Sequence, residues 1–405
     1  MLSYEQALTR IAKHTPSPRP ARAALQDALG LVLAQRIIAP LDLPSFDHSA
    51  VDGYAVRLPE ADGEPSNTAS VSLSVVGCSR AGSPYAGRVR PGEAVRIFTG
   101  AVVPRGADRV AMQEHVGRRG DRIVSERWPD RGRNIRRRGE DLRRGTRVLK
   151  AGTRLRPQEI GLLAALGYGH VPVYATPTIA ILTTGDELEP PGVCLRPGHI
   201  YESDGALLAA LVAREGGRAV RLGLARDIFR RLVARIRQGL REDMLLVCGG
   251  VSVGEKDFVR AALTACGVKE VFWRVNIKPG MPLFFGTRGR TLVFGLPGNP
   301  VSVFVTFEEF VKPALCRLTG QRWRDGYTEP AVLVTDLQVS PTRRTHFLRV
   351  RCSSHNQLVA EPMNGQGSHQ LRSLIEADGW IRVISNEGPW TAGTRVLVKR
   401  EATRW

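Results

Sequence analysis

The chain has 405 residues, of which 42% are hydrophobic, 24% charged and only 6% aromatic, and it carries a net charge of +19. That length exceeds one ordinary core of ~100 to 150 residues, and the composition excludes a wholly disordered or membrane-embedded chain. The positive excess fits a nucleic-acid surface, attraction of a smaller polyanion, or dispersed arginine on a solvated surface without a specific ligand. Aromatics are not interleaved with the densest arginine cluster, Arg131 to Arg147, so a base-stacking platform is not indicated and no specific nucleic-acid partner is expected.

Met1 to Thr15 lacks a basic start followed by an apolar stretch and reads as a short amphipathic helix rather than a leader. A second short helix is expected where Ala24, Leu25, Ala28 and Leu29 recur at helical spacing, after the break from Thr15 to Pro20. From Pro40 the pattern becomes β-rich, with VSLSVVG, EAVRIF and RVAMQEHV as strands. RGRNIRRRGEDL interrupts them, and TRVLKAGTRL with PQEIGLLAALGY predicts a strand, a turn and a helix.

From Thr178 apolar strands end in glycine loops and lead into helices, the signature of an open α/β domain. The units are TIAILTTGDEL, a helix from Asp204 to Glu215, RAVRLGLA, a helix from Ile228 to Arg241, MLLVCGGVSVGEKDF, a helix through Ala265, KEVFWRVNI, TLVFGLPGNP and a helix from Pro300 to Leu318. From Trp323 onward, AVLVTDLQV, HFLRVRC, WIRVIS and TRVLVKR predict a small β-barrel or sandwich. The longest apolar runs, Ala206 to Ala213 and Val301 to Phe307, fall well short of the ~20 residues that cross a bilayer, so a cytoplasmic protein with no membrane partner is expected. Six cysteines show no CxxC pair and no histidines at metal-ligand spacing, and are expected to be buried reduced thiols.

Ligands of open α/β domains bind outside the carboxyl ends of the strands. Thr183-Thr184-Gly185-Asp186-Glu187, Gly249-Gly250-Val251-Ser252-Val253-Gly254 and Gly295-Leu296-Pro297-Gly298-Asn299-Pro300 converge there, with amides that can hold phosphate oxygens. Beside them stand Asp186, Glu187, Asp227 and Asp257. Carboxylates at a phosphate site repel it unless a divalent cation lies between, which suggests magnesium, while Asp204 and Asp257 stand where a carboxylate can cap a helix. Lys278, before a Pro-Gly turn, offers a cation on a defined stem. Outside this domain, Phe46 to Ala55 packs two acids into a turn, and Arg136-Arg137-Arg138-Gly139-Glu140-Asp141 sets three guanidiniums before two carboxylates. The latter reads as an oxyanion site or as a self-neutralising surface run.

LPSFDHSAVDGYAV, GEAVRIFTGAVVPRGADRV, NIRRRGEDL, TTGDEL, GGVSVGEKDF, IKPGMPLFFG and GLPGNPVS occur in this order, and together they resemble the molybdopterin molybdenumtransferases, which include the corresponding half of gephyrin-like proteins. The resemblance implies a multidomain α/β plus β fold. Residues 1–45 and 142–175 would form a discontinuous elongated helical domain and 46–141 an inserted β-rich domain. A three-layer molybdopterin-binding α/β domain would occupy 176–322 and a C-terminal β-barrel 323–405.

It further implies a homodimer with active sites between subunits, transient contact with the molybdopterin adenylyltransferase, and a magnesium-dependent reaction that inserts molybdate into adenylylated molybdopterin and releases AMP. By this similarity Asp52, Glu187, Asp141, Thr99 and Arg136 are catalytic. Gly249, Gly250, Ser252, Gly254, Lys278, Pro297, Gly298, Asn299, Pro300, Arg344 and Ser368 bind substrate, Phe347 stands with the last two, and Asp186, Glu187, Asp227 and Asp257 hold metal. Many bacterial relatives carry a second lysine in the turn after the IKPG motif, where this chain has Met281. The alternatives are a molybdopterin adenylyltransferase, which resembles Thr178 to Thr319 alone, and a non-catalytic scaffold of the same fold.

Overall fold

Strands buried on both faces need unbroken apolar runs, and the central sheet is made of such runs. Thr178–Thr184 and Met244–Cys248 are buried along nearly their whole length. Alternate residues of one strand serve opposite cores: Ile179 and Ile181 pack with Leu208 and Phe294, whereas Ala180 and Leu182 pack with Leu232 and Val259. The sheet order is Arg218–Ala225, Thr178–Thr184, Met244–Cys248, Thr291–Leu296, Phe284–Arg288, Lys269–Trp273. Its first four strands are parallel, so their carboxyl ends share one edge, and the last two are antiparallel additions. Phe284–Arg288 is a strand that the sequence reading did not separate from the turn before it.

The computed structural model describes residues 1–61, 64–65, 71–251, 258–339, 342–354, 357–384 and 386–400. They form two compact units. One comprises Met1–Gln35, Gly152–Ile160 and Gly169–Trp405; the other comprises Arg36–Ala151 and Gly161–Tyr168. Among the described residues no helix is long and apolar enough to cross a membrane.

In the first unit the amphipathic helix Tyr4–His14 is present, opened by a capping box in which Ser3 and Gln6 satisfy each other's amides. The second expected helix is not. Pro20–Ala24 is a strand paired antiparallel with His170–Tyr174, and only Leu25–Asp27 is a single 3-10 turn. The helical spacing there is local, but the prolines before it and a partner strand far along the chain decide the conformation. The expected helix from Pro300 to Leu318 runs through a π turn at Phe307–Val311.

The C-terminal strands close into a five-stranded barrel in the order Thr345–Ser354, Leu358–Pro362, Glu329–Leu333, Arg395–Arg400, Gly379–Ile384, with the last pairing back onto the first. The cysteines are all unpaired, as expected of reduced thiols. Only Cys248, Cys266 and Cys316 are buried, however, and Cys78 and Cys194 are exposed. Cys78 falls at an outward position of the half-buried strand Ser72–Ser79.

The second unit is built on the six-stranded sheet Gly117–Arg119, Arg122–Val124, Ser72–Ser79, Glu93–Ile97, Gly53–Arg57, Arg109–Met112. Its core gathers Val56, Leu73, Ala94, Ile123 and a fully buried Trp128. Gly53 is required by close approach, since a Cβ there would lie 1.9 Å from the Ala111 carbonyl oxygen.

The first unit depends on a polar centre at the π turn. Glu308 and Glu309 are both buried. Glu308 meets Lys399 Nζ at 3.1 Å, Lys312 Nζ at 3.2 Å and the Arg214 guanidinium. Glu309 accepts hydrogen bonds from Tyr4 at 2.7 Å, Lys399 at 3.0 Å and Tyr327 at 3.3 Å. Burial alone would raise the Glu308 carboxyl, but Lys399, Lys312 and Arg214 outweigh it and hold it at about 2.

Because the folded state favours ionised Glu308, its stabilisation is present above the ordinary carboxyl value of 4.5 and is lost as pH falls towards about 2. Glu308→Gln is expected to cost about 3 kcal/mol at neutral pH by leaving buried cations short of a partner. Urea denaturation across pH should show the gap between variant and parent closing between pH 4.5 and about 2; a gap independent of pH would refute the assignment.

Candidate functional site

Three strand ends meet at the carboxyl edge of the parallel sheet. Gly249 has φ +92°, and a Cβ there would stand 2.3 Å from the Thr184 carbonyl oxygen, so the loop after Met244–Cys248 lies directly on the end of Thr178–Thr184. Gly249 N–H donates to Leu296 O at 3.1 Å, and a Cβ on Gly298 would lie 3.6 Å from Gly249 Cα. Glycine is the residue that permits this convergence, which brings Gly249, Gly250, Pro297, Gly298, Asn299 and Pro300 together. Asn299 is the N-cap residue of the helix that follows and Pro300 its first residue. Ser252, Gly254 and Asp257 lie outside the described residues.

At the same edge Asp227 N–H donates to Asp186 Oδ1 at 3.2 Å, and Thr184 Oγ1 donates to Asp227 Oδ1 at 2.5 Å. The Arg226 guanidinium donates to the Asp186 carbonyl. Glu187 is exposed; a Cβ on Gly185 would lie 2.8 Å from its Oε2. Among the described residues no group of three or more histidine, cysteine or acidic side chains is gathered to hold a metal, so Asp186, Glu187 and Asp227 are not a ready-made cage. Two adjacent carboxylates do fit magnesium, which keeps waters and takes much of its coordination from substrate phosphates.

Asp204 does not cap its helix. Its Oδ2 accepts from the Cys248 thiol at 3.3 Å, a sulfur that also lies 3.3 Å from Pro297 O, while its Oδ1 is buried without a partner. Burial, more than the nearby Glu202, raises the Asp204 carboxyl to about 6.

Lys278 is exposed. Its strand, Ile277–Lys278, adds in parallel to the barrel strand, setting Lys278 opposite His346. The turn after it is anchored: a Cβ on Gly280 would meet Thr306 Cγ2 at 2.6 Å, and the Met281 carbonyl accepts from Val275 at 3.0 Å and Leu283 at 2.9 Å. Met281 is half-buried and supplies no charge. His346 is 2% exposed; burial first, then Lys278 and Arg344, lower its imidazole to about 4. Ser368 is joined to the glycine-loop edge, its carbonyl accepting from Val301 N–H at 3.0 Å.

Phe347 is a packing residue, 2% exposed and edge-on to Tyr4 at 5.6 Å. Sequence reasoning missed Arg349. It is 1% exposed, its guanidinium gives one hydrogen bond, to Gly367 O at 3.3 Å, and Nε and Nη1 are left without partners. Burial lowers it to about 10. The signal available was its inward position two residues after Phe347 on an alternating strand.

In the second unit, Asp52 Oδ1 accepts from both Thr99 N–H at 2.7 Å and Thr99 Oγ1 at 2.8 Å. These bonds, with Arg96 behind them, hold the Asp52 carboxyl below its ordinary value and keep it ionised. The motif around Asp52 is tied to both of the others: Gly100 N–H donates to Ser49 O, and Ile135–Arg136 pairs with His48–Ser49. Arg137 and Arg138 are taken up by Asp47 and Asp42, at 2.7 and 2.6 Å, and Glu140 accepts from Arg137 N–H. Arg136 and Asp141 are exposed. The arginine run is therefore self-neutralised only in part: its inner cations are structural and its first points outward.

The description "MoeA N-terminal region (domain I and II)" matches residues 2–167, "Probable molybdopterin binding domain" residues 180–317, and "MoeA C-terminal region (domain IV)" residues 332–400. The chain is 36% identical to the molybdopterin molybdenumtransferase of Haemophilus influenzae, over 98% of each. It is 35% identical to molybdopterin molybdenumtransferase 2 of Mycobacterium tuberculosis, over 98% of this chain and 99% of that one. The solved molybdopterin biosynthesis moea protein of Pyrococcus horikosii superposes with a TM-score of 0.82 at 30% identity, over 99% of both chains. With that coverage from end to end, and three family segments in order, the chain belongs to the molybdopterin molybdenumtransferases, enzymes of molybdenum cofactor biosynthesis.

Proposed function

We propose that the chain inserts molybdate into adenylylated molybdopterin with release of AMP. The observation that carries this reading is the convergence of the Thr184, Gly249 and Gly298 loops at one sheet edge, with unpaired cationic donors on the neighbouring barrel. Such an edge suits a phosphorylated pterin beside a second, smaller anion.

In this reading the amides around Gly249, Gly250 and Gly298 hold the phosphates, and Pro300 starts the helix that seats Ser368 beside them. Lys278 and Arg344 take molybdate, the substrate oxyanion, while Arg349 and Ser368 meet the phosphates at the glycine-loop edge. Arg349 has the donors to do so, because two of its three nitrogens are buried and unsatisfied. Asp186 and Asp227 would hold magnesium, with Glu187 beside them, and that ion would supply charge neutralisation between the carboxylates and the pyrophosphate link. Glu187 directs a water onto the link; the water oxygen bonds to phosphorus as the bridging P–O bond breaks and AMP leaves. Two molybdate oxygens depart as water, taking the protons of the two dithiolene thiols and two from solvent, as two Mo–S bonds form. Asp52, fixed by Thr99, stands with Arg136 and Asp141 as a second polar patch.

The protein works as a homodimer in which that patch of one subunit completes the sheet edge of the other. Far-separated motifs of one chain then serve one site, which accounts for the outward-facing Arg136 and Asp141.

Asp52→Ala and Glu187→Ala should each abolish AMP release from adenylylated molybdopterin and molybdate while leaving the circular dichroism spectrum unchanged. Undiminished turnover in both would sink the site. Adenylylation of free molybdopterin by ATP would instead identify an adenylyltransferase, and neither activity in the parent protein would leave a scaffold.

Mixing the two inactive variants under subunit exchange should restore about a quarter of parental activity, because half of the dimers are mixed and each mixed dimer has one intact composite site. No restoration, with exchange verified by mass spectrometry, would place Asp52 and Glu187 in the same subunit's site.

A further inference from the structure

The barrel strand Thr345–Ser354 carries its residues alternately to two faces. Val350 lies in the apolar barrel interior and Leu348 packs against it. The same alternation sets His346 on that face, near the start of the strand, and Arg344 directly precedes the strand. Parallel pairing places Lys278 opposite His346, on the same side of the sheet. His346 is thus a 2% exposed imidazole between a dry interior and two cations, and its Nε2 has no hydrogen-bond partner. On the adjacent strand its registered neighbour is Val383, which is apolar. The charged groups acting on the ring are therefore Lys278 and Arg344, both positive.

A buried ring nitrogen without a partner, in the field of two cations, is completed by an anion that arrives beside them. We propose that His346 is a further oxyanion contact, which takes up a proton when a doubly charged tetrahedral oxyanion binds beside Lys278 and Arg344. This rests on the reading of molybdate as a substrate. In the free protein burial and the two cations keep the ring neutral, at about 4. A bound dianion cancels the repulsion and adds an acceptor for the new N–H, so the protonated ring becomes the favoured form. The group's value is raised in the complex. The extra affinity is therefore fully present below the free value of about 4 and is lost as pH rises through the raised one.

Calorimetric titration of the full-length protein with molybdate, at about pH 6 in two buffers of different ionisation enthalpy, should show uptake of about one proton. His346→Gln should abolish that uptake and weaken binding roughly tenfold. In the unmutated protein the His346 ring resonance should titrate below the other histidines and move to higher pH when molybdate is added, a readout that needs no variant to fold. Molybdate binding without proton uptake, unchanged uptake in His346→Gln, or a ring titration indifferent to molybdate would overturn the proposal. AMP release measured on the same preparation separates the two ideas. Release without proton uptake overturns the role of His346 alone, and proton-linked binding without release overturns the proposed reaction alone.

Discussion

Two glutamates buried in one helical turn set the terms for the larger unit. A carboxylate taken out of water is costly unless cations and hydroxyls surround it, and two adjacent ones demand partners from several directions at once. Glu308 and Glu309 draw those partners from everything around them: Arg214 from the helix Asp204–Arg214, Lys399 from the barrel, Tyr4 from the first helix and Tyr327 from the link into the barrel. The π turn at Phe307–Val311 makes this possible by turning both acids inward alongside Phe307 and Phe310. Apolar contacts follow the same lines, with Tyr4 edge-on to Phe310 at 5.5 Å and Phe304 stacked on Trp380 at 5.6 Å. The helix that begins at the glycine-loop edge is thereby locked to the barrel that carries Arg349 and His346.

That lock brings residues of a terminal barrel to the edge of an α/β sheet. The path is short: Arg349 holds Gly367, the neighbouring Ser368 carbonyl holds Val301, and Val301 follows Pro300. A barrel strand and a sheet edge thus share one small loop. One strand also divides its labour by face. Phe347 and Arg349 look towards the α/β core and the loop, whereas His346 ends the barrel's interior.

Much of this was legible in the sequence where the physics is local. Apolar runs closed by glycine revealed the parallel sheet, because burial on both faces leaves no room for polar alternation, and the edge loops followed from it. The Asp52 and Arg136 motifs were visible as unusual charge at turns, although not that Asp47 and Asp42 would absorb Arg137 and Arg138. The readings that failed required distant partners. Ala24 to Leu29 has helical spacing, yet its first residues pair with a strand around Val171. Arg349 looked like one more surface arginine in an arginine-rich chain, and only closure of the barrel buries it. Asp204 sat where caps sit, and the thiol it accepts comes from a strand more than forty residues later.

Closing the barrel has an effect on how this protein can associate with others. An open sheet exposes a row of unpaired amides and carbonyls that invites another strand, and with it domain exchange or fibre growth. Here Gly379–Ile384 pairs back onto Thr345–Ser354, so among the described residues none of the five barrel strands is an edge strand. At this end of the molecule, recognition has to be written in side chains and loops, which makes it selective and readily altered by single substitutions.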